Sequence, residues 1–128
     1  MNKNQKHLKF IDTLPCCVCG RRFGITHHHL LRVAPSYLPI AEGEVDFLIP
    51  KVKSKGLGTK SDDRFTLPVC PRCHAVAHAA GNDKAFFVKN GIGCPEEFCL
   101  FLWENSGSEE KAGDLIKWIL RGKNINVF

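Results

Sequence analysis

Two Cys-x-x-Cys pairs, Cys16/Cys19 and Cys70/Cys73, lie about 50 residues apart and constrain this chain more than any other feature. Two intervening residues let both thiolates of one tight turn reach the same tetrahedral Zn²⁺, and two such turns complete a four-thiolate site. One ion would then staple two distant segments, so the fold must bring residues 16–19 beside residues 70–73. The cysteines number seven, an odd count, with four of them in these pairs. That pattern favours metal binding in a reducing compartment over a disulfide framework. Cys17, Cys94 and Cys99 are left over. The last two fall in an apolar helical stretch, where a free thiol behaves as a small buried hydrophobe.

A histidine pattern accompanies the cysteines. His74 and His78 are four apart in an Ala-rich run that favours helix, so both imidazoles share one face within reach of a second metal. Such a pair leaves the coordination sphere open. The segment Thr26–Arg32 holds His27, His28 and His29, where adjacent histidines can supply one further ligand and one general base. On a strand, successive side chains point to opposite faces, so the three cannot share one role.

A chain of 128 residues is expected to form one domain, small enough to gain from a metal clip. No apolar run approaches the ~20 residues of a membrane-spanning helix. No apolar signal core follows the basic start, because Asp12 and Thr13 interrupt Phe10–Leu14. The expected location is the cytoplasm, with no membrane partner. Charge is uneven: residues 1–74 carry twelve Lys and Arg against six Asp and Glu, and residues 75–128 carry six against seven. The basic half is the half with the metal-ligand candidates, which suits a polyanionic substrate such as nucleic acid.

Along the chain, residues 1–14 read as a basic, loosely structured lead-in, 15–81 as the zinc knuckles and core, and 82–128 as a helical scaffold. Ile25–Val33 has strand composition. Residues 34–62 read as a long excursion whose stretch 51–60 holds Lys51, Lys53, Lys55 and Lys60 without an acidic residue. It reads equally as a solvated loop or a phosphate-contacting one. Arg64–Val69 reads as a second strand ended by Pro68, and a helix is expected from Pro71 to near Gly81. The order is ββα. Asn82 or Asp83 caps a further helix that ends at Asn90-Gly91, Pro95 opens one to Glu104, and another starts near Ser108. The aromatic and aliphatic stripes of these last helices, Phe101, Trp103 and Trp118 included, read as core packing.

With the cysteine pairs, the histidine run and the His-x-x-x-His in place, the chain resembles the His-Asn-His (HNH) nucleases of the ββα-metal superfamily. It resembles most the phage and prophage recombination-enhancement (Ref-type) nucleases. The residues that carry this are PCCVCG at 15–20, HHLLR at 28–32, GTKSD at 58–62 and FTLPVCPRCHAVAH at 65–78, followed by Phe86-Phe87 and Gly91-Ile92. The likeness spans roughly residues 15–95. It implies an α+β fold: a small zinc-stapled ββα-metal core with a long basic loop between the strands and additional C-terminal helices. It implies structural Zn²⁺ on Cys16, Cys19, Cys70 and Cys73. It further implies a catalytic ion on His28, His74 and His78, with His29 as general base. His27 can displace His28 in the alignment, making His28 the base. The family's Asn, nine positions before His74, is Phe65 here, so Asp62 or Asp63 would have to orient the base.

Phosphodiester hydrolysis needs an attacking water, a proton acceptor and positive charge at the transition state. The histidines provide the acceptor and the ion site, and Arg32 with Lys51, Lys53, Lys55 and Lys60 provides charge toward DNA. An open three-ligand site suits Mg²⁺ or Mn²⁺, while imidazole ligands also suit Zn²⁺. The expected activity is a metal-dependent DNA endonuclease of a bacterial or phage-infected cell. Its partners would be single- or double-stranded DNA and a RecA-type recombinase filament, and its process DNA recombination. The alternative is a non-catalytic zinc-ribbon nucleic-acid-binding module, or a decayed nuclease.

Overall fold

A two-stranded antiparallel sheet, β1 (Thr26–His29) and β2 (Thr66–Val69), lies at the centre of the computed structural model, which describes residues 2–34 and 63–123. The register pairs Thr26 with Val69, His27 with Pro68, His28 with Leu67 and His29 with Thr66. Helix α1 (Lys3–Asp12) precedes the sheet. Helices α2 (Pro71–Ala79), α3 (Asp83–Lys89), α4 (Pro95–Glu104) and α5 (Glu109–Arg121) follow it. The described residues thus form a small mixed α/β fold of five helices and two strands. Lys51, Lys53, Lys55, Lys60 and Asp62 lie outside the described residues.

The start of the chain corrects the sequence reading of a loose lead-in. Asn2 and Gln5 form a reciprocal capping box, the Gln5 N–H donating to Asn2 Oδ1 at 2.8 Å and the Asn2 N–H to Gln5 Oε1 at 3.1 Å. His7, Phe10, Ile11 and Leu14 are all buried, at the spacing of one helical face. A cap and an apolar face together make α1 a structural element.

The strands also differ in extent from the expectation. β1 stops at His29 rather than Val33: Leu30 still donates its N–H to Phe65 O at 3.0 Å, but the Leu31 N–H is taken by the Asp83 carboxylate at 2.8 Å. Pro68 does not end β2 but lies within it. Its carbonyl accepts from Cys17 N–H at 3.0 Å. A strand residue directs its N and C=O to the same side, so the ring nitrogen of Pro68 faces away from β1, where a missing N–H costs no ladder bond.

The sheet is covered on both faces. α1 and α2 each pack against both strands, and α4 packs against β2, all of whose residues are buried. His27 reaches Asp12 of α1 whereas His28 reaches His74 of α2, so α1 covers one face and α2 the other. The core joins Phe10 and Ile11 of α1 to Leu67 and Val69 of β2 and to Phe87, Leu102 and Ile116 of the later helices. Phe65 is fully buried in this core, which accounts for an apolar residue at that position. Helix starts follow their sequence signals: Pro71 and Pro95 open α2 and α4, and Asn82 and Ser108 cap α3 and α5. Trp118, expected in the core, is instead 73% exposed, and Phe101 is also partly in solvent. No helix among the described residues is long and apolar enough to cross a membrane.

Candidate metal centres

Two local devices bring the cysteines together. The first turn is closed by Cys16 N–H donating to Arg21 O at 2.8 Å and Gly20 N–H to Cys16 O at 2.9 Å, with Gly20 at a φ of 80° that favours glycine. In the second turn Cys70 caps α2, its Sγ accepting from Cys73 N–H at 3.5 Å. The bond from Cys17 to Pro68 docks one turn on the strand that leads into the other. As a result Cys16, Cys19, Cys70 and Cys73 gather, their sulfurs all within 4.8 Å of one another, and Cys19 alone is exposed.

This cluster fits zinc. Zn–S bonds of ~2.3 Å at the tetrahedral angle separate neighbouring sulfurs by about 3.8 Å, and Cys19 Sγ lies 3.7 Å from Cys70 Sγ. Proton affinities within the cluster diverge. Burial alone would raise Cys70, but hydrogen bonds from Cys73, Cys19 and Cys16 outweigh it and bring the thiol down to about 7. Burial and the neighbouring Cys16 push Cys73 up, and burial raises Cys19. Four packed thiols cannot all ionise on their own, and a divalent cation supplies the charge that lets them. Cys17 and Cys99 are held protonated by burial, as expected of inert core thiols. Cys94 takes the N-cap position of α4 rather than a place inside the helix.

The second cluster joins His28, His74 and His78, again with ligand nitrogens within 4.8 Å of one another. β1 alternation sends His28 inward, fully buried, onto the α2 face that presents His74 and His78. His28 Nδ1 stands 3.1 Å from His74 Nδ1. Metal–nitrogen bonds of ~2.1 Å at angles of roughly 90–110° place ligand atoms about 3.0–3.4 Å apart, so the donor set fits an ion.

Asp83 decides which nitrogen of His28 is available. Its Oδ2 accepts from His28 Nε2–H and from Leu31 N–H, both at 2.8 Å, and the residue is only 2% exposed. Burial alone would raise this carboxyl, but the bonds from His28 and Leu31 outweigh it and keep it below the usual range. A carboxylate only accepts, so Nε2 must carry a proton, which leaves Nδ1, facing His74, as the nitrogen that can offer a lone pair. The sequence offered Asp83 only as a helix cap. A buried carboxylate behind a ligand histidine is a tertiary feature, and its sequence signal was no more than an acidic residue at the start of α3.

The other two histidines of β1 share the opposite face, their rings 5.6 Å apart. His29 Nε2 lies 2.7 Å from Asp63 Oδ1, and Asp63 Oδ2 also accepts from the Asn4 side chain of α1 at 3.3 Å. His27 Nδ1 pairs with Asp12 at 2.9 Å and does not join the cluster, so His27 does not displace His28 as the third member. No protein-family model, curated protein or solved structure gives a significant match to this chain. Arg32 is exposed just beyond β1. Nearby, Glu96 accepts from Ala34 N–H and from Lys84 Nζ, both at 2.9 Å, which anchors the end of that segment to α3 and α4.

Proposed function

We propose that this chain is a metal-dependent endonuclease of the HNH type that hydrolyses phosphodiester bonds in DNA. The observation that carries the proposal is the second cluster: three histidines converge on one point with a buried carboxylate behind one of them, and a fourth histidine next in sequence has its own carboxylate. A module that only folds around zinc and grips phosphates has a use for the four cysteines but none for this arrangement. The strand, strand, helix order of the core and the sequence resemblance support the same reading.

A divalent ion held by His28, His74 and His78 would supply Lewis-acid charge to a scissile phosphate. Asp83 keeps the Nε2 proton of His28 and thereby its Nδ1 lone pair toward that point. Asp63 does the same for His29: the carboxylate at Nε2 leaves Nδ1 as the atom that takes a proton from water. Asp63 thus provides the orientation that the family assigns to the Asn replaced by Phe65. His28 and His29 lie on opposite faces of β1, so the reading requires the phosphate to sit at the His29 end of the strand, where both faces can be reached. Arg32 stands there to add charge.

The test is nicking of supercoiled plasmid and cutting of single-stranded DNA with added Mg²⁺ or Mn²⁺, wild type beside His74→Ala. Metal-dependent cutting lost in the variant is the expected result. A salt-sensitive gel shift without cutting, on naked DNA and on DNA coated by a RecA-type recombinase, would leave the zinc-ribbon binding module as the better account.

A further inference from the structure

The first cysteine turn has an outer face, beside the four-sulfur cluster, that the proposed cleavage chemistry does not use. Here an open cleft of about 740 Å³ is lined in part by Arg21, Arg22, Phe23, Arg72, Val76 and Phe86, with Cys19, Cys70 and Cys73 also in its wall, and no carboxylate is among its described lining residues. Phe23 is 83% exposed, more than any other large apolar side chain described, and Val76 is 45% exposed beside it. The core makes little use of the Phe23 ring.

The backbone that carries the ring is nevertheless fixed on both sides. Residues 16–21 are locked by the Cys16–Arg21 and Gly20–Cys16 hydrogen bonds, and Cys19 is a member of the four-sulfur cluster. On the other side of Phe23, Gly24 has a φ of +68° and packs so close to Pro71 that a Cβ there would stand 3.3 Å from Pro71 Cγ. Phe23 is thus displayed between a metal staple and the first turn of α2. Charge points the same way. Three arginines line the cleft, and its described lining holds no carboxylate to offset them.

The cleft is distinct from the histidine site. At 100° per residue, Arg72 and Val76 fall on one side of α2 and His74 and His78 on nearly the opposite side. An exposed aromatic ring among arginines, on a floor with apolar side chains, is the combination that binds unpaired bases and their backbone: the ring stacks a base face and guanidinium groups fork onto phosphate oxygens. A duplex hides its base faces. We infer that this cleft binds a single-stranded segment of DNA, Phe23 stacking one base and Arg21, Arg22 and Arg72 engaging the flanking phosphates. The inference rests on the DNA part of the proposed function and not on cleavage.

The test is fluorescence anisotropy of the full chain with a short labelled oligothymidine and with a duplex of equal length, over a salt series and without added divalent metal. The single strand is expected to bind more tightly than the duplex. Phe23→Ala is expected to weaken oligothymidine binding by about 5- to 100-fold, while Phe23→Trp retains it. Arg72→Ala should reduce the salt slope by about 0.7, the loss of one phosphate contact. With Phe23 in solvent, the melting temperature of Phe23→Ala should match wild type, so its binding loss is not one of folding. No binding of oligothymidine, duplex affinity equal to or above single-strand affinity, or a Phe23→Ala variant that binds like wild type would each overturn the inference. Phe23-dependent binding by a protein that cuts nothing would sink the endonuclease reading and leave this site standing.

Discussion

Replacing Asp83 tests how firmly the histidine site is built into the fold. Asp83→Ala strips the acceptor from a buried donor, His28 Nε2–H, and a half-buried one, Leu31 N–H, each bonded at 2.8 Å. A hydrogen bond to a charged group contributes about 1.5–3 kcal/mol, and an orphaned buried donor costs roughly 1–3 kcal/mol, so a loss of about 3–5 kcal/mol is expected. For a domain of this size that lowers the melting temperature by roughly 10–20 °C. Asp83→Asn separates charge from geometry. Both bonds end on the single atom Oδ2, so an amide oxygen in its place keeps both and forfeits only the charge, for about 1–2 kcal/mol. The partner carboxylate also fixes the ring of a ligand histidine, so Mn²⁺ or Co²⁺ affinity measured by calorimetry should fall about 10- to 100-fold in the Asn variant. The assays are thermal melting and metal titration of the three proteins side by side. If Asp83→Ala melts within a few degrees of wild type, the carboxylate does not support the fold; if Asn and Ala bind the ion as wild type does, it does not orient His28.

Stripping zinc with a strong chelator should unfold the described domain, seen as loss of far-UV circular dichroism, because one ion joins segments that the sheet alone holds weakly; an unchanged spectrum and melting temperature would refute the four-cysteine assignment. His29→Ala should leave DNA binding intact and lower cleavage by about 10²- to 10⁴-fold, with Asp63→Ala in the same direction but smaller; full activity in His29→Ala would end its role as base. His7 provides a pH signature. It is fully buried against Trp103, Nδ1 pairs with Ser106 Oγ at 2.8 Å, Nε2 has no partner among the described residues, and burial lowers its pKa from 6.5 to about 4. The folded state therefore binds fewer protons than the unfolded one between these values, and stability falls as pH drops from about 6.5 toward 4. The urea midpoint should follow that slope in wild type and lose part of it in His7→Phe; an equal slope in both would show that other groups set it.

The parts of the fold legible in the sequence were those with local rules. Proline at N1, Asn82 and Ser108 as caps, and glycine after α3 located the helix boundaries closely, and the Cys-x-x-Cys and His-x-x-x-His spacings identified all the members that gather in the two clusters except for the choice among His27, His28 and His29. Alternation along β1 settles that choice by sending His28 inward, but which face is inward depends on α1. That helix was missed because its cap is Asn2 with Gln5 and its apolar face counts a histidine, His7, as a core residue. Asp83 was out of reach as a partner of His28 for another reason. It meets that histidine across 55 residues of chain, a pairing that no local pattern encodes, whereas Asp63 was reached only through the resemblance, as an alternative to Asp62. Trp118 shows the converse error, since a residue type usually buried stands in solvent on α5.

Helix α2 and its cap carry ligand candidates for both clusters within nine residues: Cys70 and Cys73 for one, His74 and His78 for the other. The rotation and depth at which the two imidazoles meet His28 are therefore set by how the four sulfurs seat the first turn of that helix. Assembly acquires an order. If the four cysteines hold zinc, that centre would load before the histidine cluster takes its final shape, and the apo chain would capture a second ion poorly even where that ion is abundant. On the proposed function, a cell short of zinc would then make an inactive protein, one that stays silent while it is still unfolded.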